Sequence, residues 1–451
     1  MNTKDMEIEV LSNEEKRECR RQRRVRNQRR AYISLVISVL VLVAVVLGGL
    51  FFVNRQLNLE QQISEQPMEE IEVIEEEIIE EVSTLPEEEE TIEEAEEVYS
   101  DEKLLDEVVE AVISEMTLEE KVAGLFVVTP EGITGVSTAV QAGDGTKAVL
   151  EKYPVGGFIY FKKNIESEDQ IKKMIENTIS YNKYPMFIAV DEEGGKVTRL
   201  ADVLGLNNVG PMADIGATGD STKAYDAMKN VGTYLKDYGF NVDFAPVADV
   251  LTNAENASIG NRSFGNDANL VAGMVTMAMN GLKDADVTAC IKHFPGLGDA
   301  SADTHNGLAV IDKSLDELKE IELIPFISAI ENGADMIMVG HMSLPQIIGD
   351  NTPATMSKEV ISDLLRSELG FNGVVITDAM NMGAITEYYS ADEAAIRALK
   401  AGADMVLMPE DFTLAYEGVI AAVKDGTISE ERINNSLKRV FRIKYADSVG
   451  E

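Results

Sequence analysis

The globular part of this sequence, residues 104–451, predicts an α/β fold, a closed (β/α)8 or TIM barrel. Eight short apolar runs alternate with segments whose apolar residues recur at helical spacing. The runs are continuously apolar, which is typical of parallel strands buried on both faces. An open doubly wound sheet is the alternative, but it normally carries a glycine-rich nucleotide turn after its first strand, and none is present here. Eight strand–helix units therefore favour the barrel, whose site lies at the carboxyl ends of the strands.

The strands and helices alternate along the chain. The predicted strands cover residues 124–129, 156–161, 186–190, 241–247, 287–293, 335–340, 373–377 and 404–408. Predicted helices between them include 221–238, 269–285, 315–332, 357–369 and 391–401, and a last helix at 430–445 completes the barrel.

A predicted membrane anchor precedes the barrel. Residues 31–53 are uncharged and predominantly apolar, and a membrane span needs roughly 20 such residues. Residues 1–30 form a basic tail, which predicts a cytoplasmic N-terminus and places everything after residue 53 outside the cell membrane. A cleaved signal peptide is the rival, but its apolar core is shorter and ends at a small-residue cleavage site, which residues 51–55 do not supply. We expect an uncleaved, single-pass signal anchor.

An acidic segment, residues 54–103, joins the predicted span to the barrel. Its runs of glutamate repel one another, so we expect a disordered stalk that holds the barrel away from the membrane surface.

The whole chain has a net charge of -39, which excludes nucleic acid as a partner because phosphate contacts need a basic surface. With only two cysteines, Cys19 and Cys290, no disulfide framework is possible.

Polar residues follow the predicted strands at the end where a barrel builds its site. The protein has 3 histidines, and all of them lie in these strand-end loops. They stand with carboxylates and cations that suit a neutral, hydroxyl-rich ligand, since Asp and Arg form paired hydrogen bonds to vicinal hydroxyls. The candidate site residues are Asp191, Arg199, Arg262, Lys292, His293, Asp303, His305, His341 and Asp378.

Three reaction classes compete for these residues. A metal-dependent hydrolase needs closely spaced histidine ligands, and His293 and His305 are too far apart for that pattern. A Schiff-base aldolase would use Lys292, but an adjacent Asp191 or Asp378 would keep this lysine charged. Glycoside hydrolysis needs a nucleophile or base on one side of the sugar and an acid on the other. Asp378 suits the first role, because an ionisable residue at the end of a buried strand is not expected there for packing.

Four separated motifs resemble the β-N-acetylhexosaminidases of glycoside hydrolase family 3. The first is Lys-His-Phe-Pro-Gly-x-Gly-Asp followed by Asp-Thr-His, at residues 292–305. The others are at 191–195, 261–264 and 377–380, in the same order as in the family. The resemblance covers about residues 105–446, essentially the whole globular part.

The resemblance implies a retaining mechanism. Asp378 would be the nucleophile that forms a covalent glycosyl-enzyme, and His305, oriented by Asp303, would be the acid/base. Asp191, Arg262, Lys292 and His293 match the family's substrate ligands, and Arg199 and His341 are expected to shape the pocket. No metal or organic cofactor is implied. Many relatives have His and Thr where this chain has Leu297 and Ala300, which affects no residue assigned to the chemistry.

These residues lead to an expected function. We expect an extracellular, membrane-tethered exo-β-N-acetylglucosaminidase acting on GlcNAc-containing oligosaccharides or muropeptides from peptidoglycan. Almost nothing follows the last predicted helix, so the acid is expected from the barrel and not from a second domain. Two alternatives stay open: a β-N-acetylglucosaminide phosphorylase, and a non-catalytic protein that binds cell-wall sugars.

Overall fold

The chain forms a closed parallel barrel, as the sequence predicts. The structure is a computed structural model that describes residues 89–300 and 307–446, with side chains from residue 102. Its eight strands run parallel in the order β7-β6-β5-β4-β3-β2-β1-β8. A parallel bridge between Ile376 and Met405 joins β7 to β8 and closes the barrel. The strands are β1 (Phe126–Val128), β2 (Gly157–Ile159), β3 (Phe187–Val190), β4 (Val242–Asp243), β5 (Thr288–Phe294), β6 (Met336–Val339), β7 (Val374–Thr377) and β8 (Val406–Leu407).

Each of the eight predicted strand segments contains an observed strand, and almost every strand residue is buried. Burial on both faces explains why these segments read as continuous apolar runs, since helices cover the outside and packed side chains fill the inside. The carboxyl ends of all eight strands therefore open on one face of the barrel.

Helices flank every strand. The α-helices are α1 (Glu89–Glu115), α2 (Leu118–Ala123), α3 (Pro130–Thr134), α4 (Asp144–Lys152), α5 (Glu168–Tyr181), α6 (Leu200–Leu204), α7 (Met212–Gly216), α8 (Thr222–Tyr238), α9 (Ala268–Lys283), α10 (Leu315–Glu320), α11 (Ile324–Glu331), α12 (Pro345–Ile348), α13 (Gly383–Thr386), α14 (Ala391–Ala401), α15 (Phe412–Lys424) and α16 (Glu430–Lys444). A π-helix spans Glu359–Glu368, and 3-10 turns span Lys162–Asn164, Gly260–Arg262 and Ala354–Met356.

The single helix predicted at 315–332 is wrong, because the structure has two helices there, α10 and α11. Two features lie at the break, one in the local sequence and one that depends on the fold. Pro325 lies in the first turn of α11, where its missing N–H is tolerated, and a proline inside a longer helix would remove a hydrogen bond. Between the helices, the fully buried carboxylate of Glu322 accepts from Lys313 Nζ at 2.5 Å. The position of this ion pair depends on the fold, so helical periodicity does not reveal it.

The predicted membrane span, residues 31–53, lies outside the described residues, as does most of the predicted stalk. In the described ranges, 89–300 and 307–446, no helix is both long and apolar enough to cross a bilayer. Helix α1 begins at Glu89, inside the segment 54–103 that was expected to be disordered. Glutamate is a good helix former, which accounts for a helix in so acidic a sequence. The barrel belongs to the compact unit Glu94–Glu451.

Candidate active site

A cavity of about 310 Å³ opens at the carboxyl ends of the strands. One part of its wall is apolar and includes Phe161, Phe244, Leu297 and Met408. The chain has no tryptophan, and among the described lining residues the aromatic side chains are Phe161, which is partly exposed, and Phe244, which is buried. The polar lining residues are Asp191, Glu193, Arg199, Ser258, Arg262, Lys292, His293, Asp378 and Asn381.

Glu192, which follows β3, supports the polar wall from behind. Its carboxylate is fully buried and accepts the N–H groups of Arg199, Leu200 and Ala201 at 2.5, 3.0 and 2.9 Å. The hydroxyl of Tyr234 donates to it at 3.0 Å. Glu192 thereby satisfies the free amides at the start of α6 and fixes the backbone of Arg199 at the cavity.

Five side chains, from β5 and from the segments after β3 and β4, form an ion network in the cavity wall. Lys292 Nζ lies 2.9 Å from Asp191 and 2.6 Å from Glu193. Arg199 donates to the second oxygen of Asp191 at 3.1 Å. Arg262 binds Glu193 through two hydrogen bonds of 2.7 Å. Because each cation has an anion beside it, the network holds its donors and acceptors in fixed positions.

This environment keeps the network ionised. Burial alone would raise the pKa of Asp191 and Glu193, but the neighbouring cations outweigh it, and both pKa values lie below their usual range. Burial opposes the charge on Lys292 as well, yet Asp191 and Glu193 raise its pKa above the usual value. Charged groups fixed in this way can accept from and donate to adjacent hydroxyls of a sugar.

His293 is oriented by Asp249, a fully buried residue that follows β4. His293 Nδ1–H donates to Asp249 Oδ2 at 2.7 Å, and the other carboxylate oxygen accepts the N–H of Leu297 at 2.6 Å. A carboxylate on Nδ1 fixes the tautomer and leaves Nε2 as the ring nitrogen available to a ligand. Asp249 therefore positions both the imidazole and the start of the segment after β5.

Asp378 lies directly after β7 and lines the cavity, half-buried. Its N–H donates to the carbonyl of Val339 on β6 at 2.8 Å. Oδ1 accepts the N–H of Ala379 at 2.8 Å, and Oδ2 makes no hydrogen bond to any other described residue. One oxygen is thus held by the backbone while the other is available to a reacting atom.

His341 does not line this cavity. It is fully buried, with Nε2 2.9 Å from the carbonyl of Ala379 and Nδ1 3.0 Å from Thr355 Oγ1. Because a carbonyl only accepts, Nε2 carries a proton and donates it. The structure therefore places His341 beside the segment that carries Asp378, where its hydrogen bond to Ala379 can hold that segment in place.

Asp303 and His305, the predicted acid/base pair, lie outside the described residues. The chain on both sides of them is held by the barrel. Before the gap, Asn256 Nδ2 donates to the carbonyl of Leu297 at 2.7 Å and Asn253 Nδ2 to that of Ala300 at 3.2 Å. After it, the N–H of Ile311 donates to the carbonyl of Ser343 at 2.9 Å.

Glu193 and Asp249 are residues of this site that the candidate set omits. Both had a signal in the sequence, since Glu193 follows β3 beside Asp191 and Asp249 follows the fourth predicted strand. What the sequence does not show is that each would face a cation or an imidazole from another strand.

Within the described ranges, no group of three or more His, Cys, Asp or Glu side chains is arranged to hold a metal ion.

A parallel barrel with a half-buried carboxylate at the end of β7, facing a cavity of fixed hydrogen-bonding groups, has the architecture of a glycoside hydrolase. Residues 117–443 match the N-terminal domain of glycosyl hydrolase family 3, and the chain belongs to that family.

Several known proteins are similar to this chain. Beta-hexosaminidase A of Pseudoalteromonas piscicida is 32% identical over 329 residues, which are 66% of this chain and 54% of that protein. Beta-hexosaminidase LpqI of Mycobacterium tuberculosis is 32% identical over 325 residues, which are 69% and 80% of the two chains. The solved family 3 β-N-acetylglucosaminidase of Paenibacillus sp. str. FPU-7 superposes with a TM-score of 0.70 at 38% identity, covering 74% of this chain and 64% of that one. This chain therefore spans about half the length of the first relative and most of the second.

Proposed function

We propose that this chain is a retaining exo-β-N-acetylglucosaminidase that hydrolyses terminal β-linked N-acetylhexosamine. Family membership and the similarity to proteins named beta-hexosaminidase support a glycoside hydrolase that acts on β-linked N-acetylhexosamine. The observation that carries the proposal is Asp378, with one oxygen held by the N–H of Ala379 and the other without a hydrogen bond to the described residues.

In the proposed mechanism Asp378 attacks the anomeric carbon and displaces the leaving group, which forms a covalent glycosyl-enzyme. Asp191, Arg262 and Lys292 bind the hydroxyls of the terminal sugar, and Arg199 shapes the pocket. His293 adds a donor or acceptor through Nε2. These groups are already held by ion pairs, so little reorganisation accompanies the reaction. Water then attacks the anomeric carbon from the face that the leaving group left, the bond to Asp378 breaks, and the β configuration is retained.

The acid/base role goes to His305, oriented by Asp303. The family pattern supports this assignment. The imidazolium gives its proton to the leaving oxygen and, as neutral imidazole, later accepts a proton from the attacking water. The carboxylate of Asp303 would stabilise the charged form of His305 and fix its orientation.

We propose GlcNAc-containing oligosaccharides and muropeptides from peptidoglycan as substrates, with the protein anchored in the cell membrane. Residues 31–53 are the proposed anchor, with residues 1–30 in the cytoplasm and the barrel outside. Deletion of residues 31–53 is expected to move the protein from the membrane fraction to the soluble fraction after cell lysis. Recovery of the undeleted chain in the soluble fraction, uncleaved, would contradict the anchor.

Labelling of the nucleophile tests the function. The purified full-length protein is incubated with a 5-fluoro-N-acetylglucosaminyl inactivator and digested, and the peptides are examined by mass spectrometry. We expect one glycosyl adduct, on the peptide that contains Asp378, and none in Asp378→Asn. A label on a peptide without Asp378 would refute the assignment.

Product analysis distinguishes the proposed hydrolase from the two alternatives, a phosphorylase and a non-catalytic wall-binding protein. A phosphorylase would release the sugar 1-phosphate when phosphate is present, whereas a hydrolase releases free N-acetylglucosamine with or without phosphate. A protein that binds N-acetylglucosamine but turns over no aryl β-N-acetylglucosaminide would be a wall-binding protein and not an enzyme.

A further inference from the structure

A second cavity lies at the amino ends of the strands, on the face of the barrel opposite the candidate active site. Its volume is about 570 Å³. Phe187 at the start of β3, Thr288 at the start of β5 and Lys444 at the end of α16 contribute to its wall. Its charged lining residues are Lys236, Lys283, Asp286, Asp335, Arg442 and Lys444.

The cations of this cavity, apart from Lys444, have acidic partners. Lys236 lies 3.8 Å from Asp286, and Arg442 forms an ion pair with Asp106 of α1. The third pair is Lys283 and Asp335. Burial raises the pKa of Asp335, and the nearby charge of Lys283 lowers it by a smaller amount. Among the described residues, Lys236 and Arg442 thus have carboxylates within ion-pair distance, and exposed Lys283 has an electrostatic partner in Asp335.

Lys444 is the cation left over. Its Nζ donates to the carbonyl of Gly156 at 2.7 Å, and no carboxylate of the described residues lies within ion-pair distance of it. The ammonium lies 4.6 Å from the centre of the Phe187 ring and 5.6 Å from that of Phe441. Burial among these groups lowers the pKa of Lys444 to about 7. An ammonium ion has three donors, and the other two make no hydrogen bond to the described residues.

We propose that this cavity binds an organic anion that carries a single carboxylate. The carboxylate pairs with Lys444, and the apolar body of the ligand packs on Phe187, Leu105 and Ile443. Because no carboxylate of the described residues pairs with Lys444, a single negative charge on the ligand matches its single positive charge. The site is independent of the sugar-binding cavity and of the proposed reaction.

Benzoate is a suitable probe, and benzamide is its neutral match. Isothermal titration of the full-length protein is expected to detect benzoate and not benzamide, and to detect no binding of benzoate to Lys444→Met. The matched control is Lys173→Met, which removes an exposed lysine paired with Glu176 on α5 and should bind benzoate like the parent. Hydrolysis of an aryl β-N-acetylglucosaminide serves as a folding control for all variants, because none of these lysines lines the active-site cavity.

The pH dependence gives a second test that does not depend on a lysine deletion. Benzoate binds the charged form of Lys444, so its affinity should fall about tenfold per pH unit above pH 7. In Lys444→Arg, whose charge persists at high pH, the affinity should stay constant over the same range. Equal binding of benzoate and benzamide, no benzoate binding to the parent near pH 6, or unchanged binding to Lys444→Met would each overturn the proposal.

Discussion

Glu193 is the residue on which the cationic side of the candidate site depends. Its side chain is 2% exposed, and its two oxygens bind Arg262 and Lys292. Glu193→Gln keeps the shape but leaves these two cations with less compensation, and removal of one partner of a buried ion pair costs about 3–5 kcal/mol. We expect a loss of that size in urea unfolding at neutral pH, together with a raised KM. The control is Glu176→Gln on the surface of α5, which should change stability by less than about 0.5 kcal/mol.

The same substitution should alter the response to acid. The pKa of Glu193 is lowered in the folded state, so its contribution to stability is complete above about pH 4.5, its ordinary value, and is lost as the pH falls below it. Removal of the carboxyl should therefore flatten the part of the stability curve below that pH. An unchanged acid limb, measured by urea unfolding at several pH values, would mean that Glu193 is not charged in the folded protein.

His305 is the second residue for which a single substitution is informative. Because a general acid contributes about 10²–10⁴-fold, His305→Ala should slow aryl β-N-acetylglucosaminides with poor leaving groups far more than those with good ones. The measurement is kcat/KM across a series of substituted phenols. Equal losses across the series would refute the acid role.

At the scale of an element, the segment after β5 is fixed by a close backbone approach. A Cβ on Gly298 would lie 1.8 Å from the carbonyl oxygen of Val250, so the two segments can approach this closely only with glycine here. Overpacking typically costs about 1–3 kcal/mol, and we expect at least that loss of stability for Gly298→Ala, with reduced kcat because the segment carries the proposed acid.

Gly273→Ala is the matched control. Gly273 lies on the exposed side of α9, with no atom within 4 Å of an added Cβ. In an exposed helix interior alanine is favoured over glycine by about 0.8–1.0 kcal/mol, so this variant should be more stable than the parent. If both alanines had the same effect, the close approach of Gly298 to Val250 would not explain the glycine.

At the scale of the whole molecule, Asp404 ties the last strand to the rest of the barrel. It is fully buried just before β8. Its carboxylate accepts hydrogen bonds from the N–H of Val375 at 2.9 Å, the hydroxyl of Ser436 at 2.8 Å and the guanidinium of Arg439 at 3.1 Å. It also forms an ion pair with Arg366. These contacts join β7, β8, the π-helix and α16 where the barrel closes.

Asp404→Asn should therefore destabilise the whole barrel. The change leaves the surrounding guanidinium groups without their counter-charge, so we expect a loss of about 3–5 kcal/mol in one cooperative unfolding transition. Thermal and urea unfolding measure it, with exposed Glu417→Gln on α15 as the control. A loss as small as that of the control would mean that barrel closure does not depend on this carboxylate.

By itself, the sequence determined the eight strands, their order and the placement of Asp191, Lys292, His293 and Asp378 at strand ends. It could do so because a strand that is buried on both faces needs a continuous apolar run, and that run is visible in the sequence. A parallel barrel also brings the carboxyl ends of all its strands to one face. The polar residues after the strands must then share a site.

Only the tertiary structure decided which side chains meet. Asp249 pairs with His293 across 44 residues of sequence, and Glu193 pairs with Arg262 across 69. His341 also follows a strand, but its side chain hydrogen-bonds to the carbonyl of Ala379 and does not line the cavity. Lys444, which no carboxylate of the described residues pairs with, reaches its position because α16 packs against the amino ends of β2 and β3. These partnerships depend on strand register, on twist and on the packing of helices against the barrel, none of which leaves a periodic trace in the sequence.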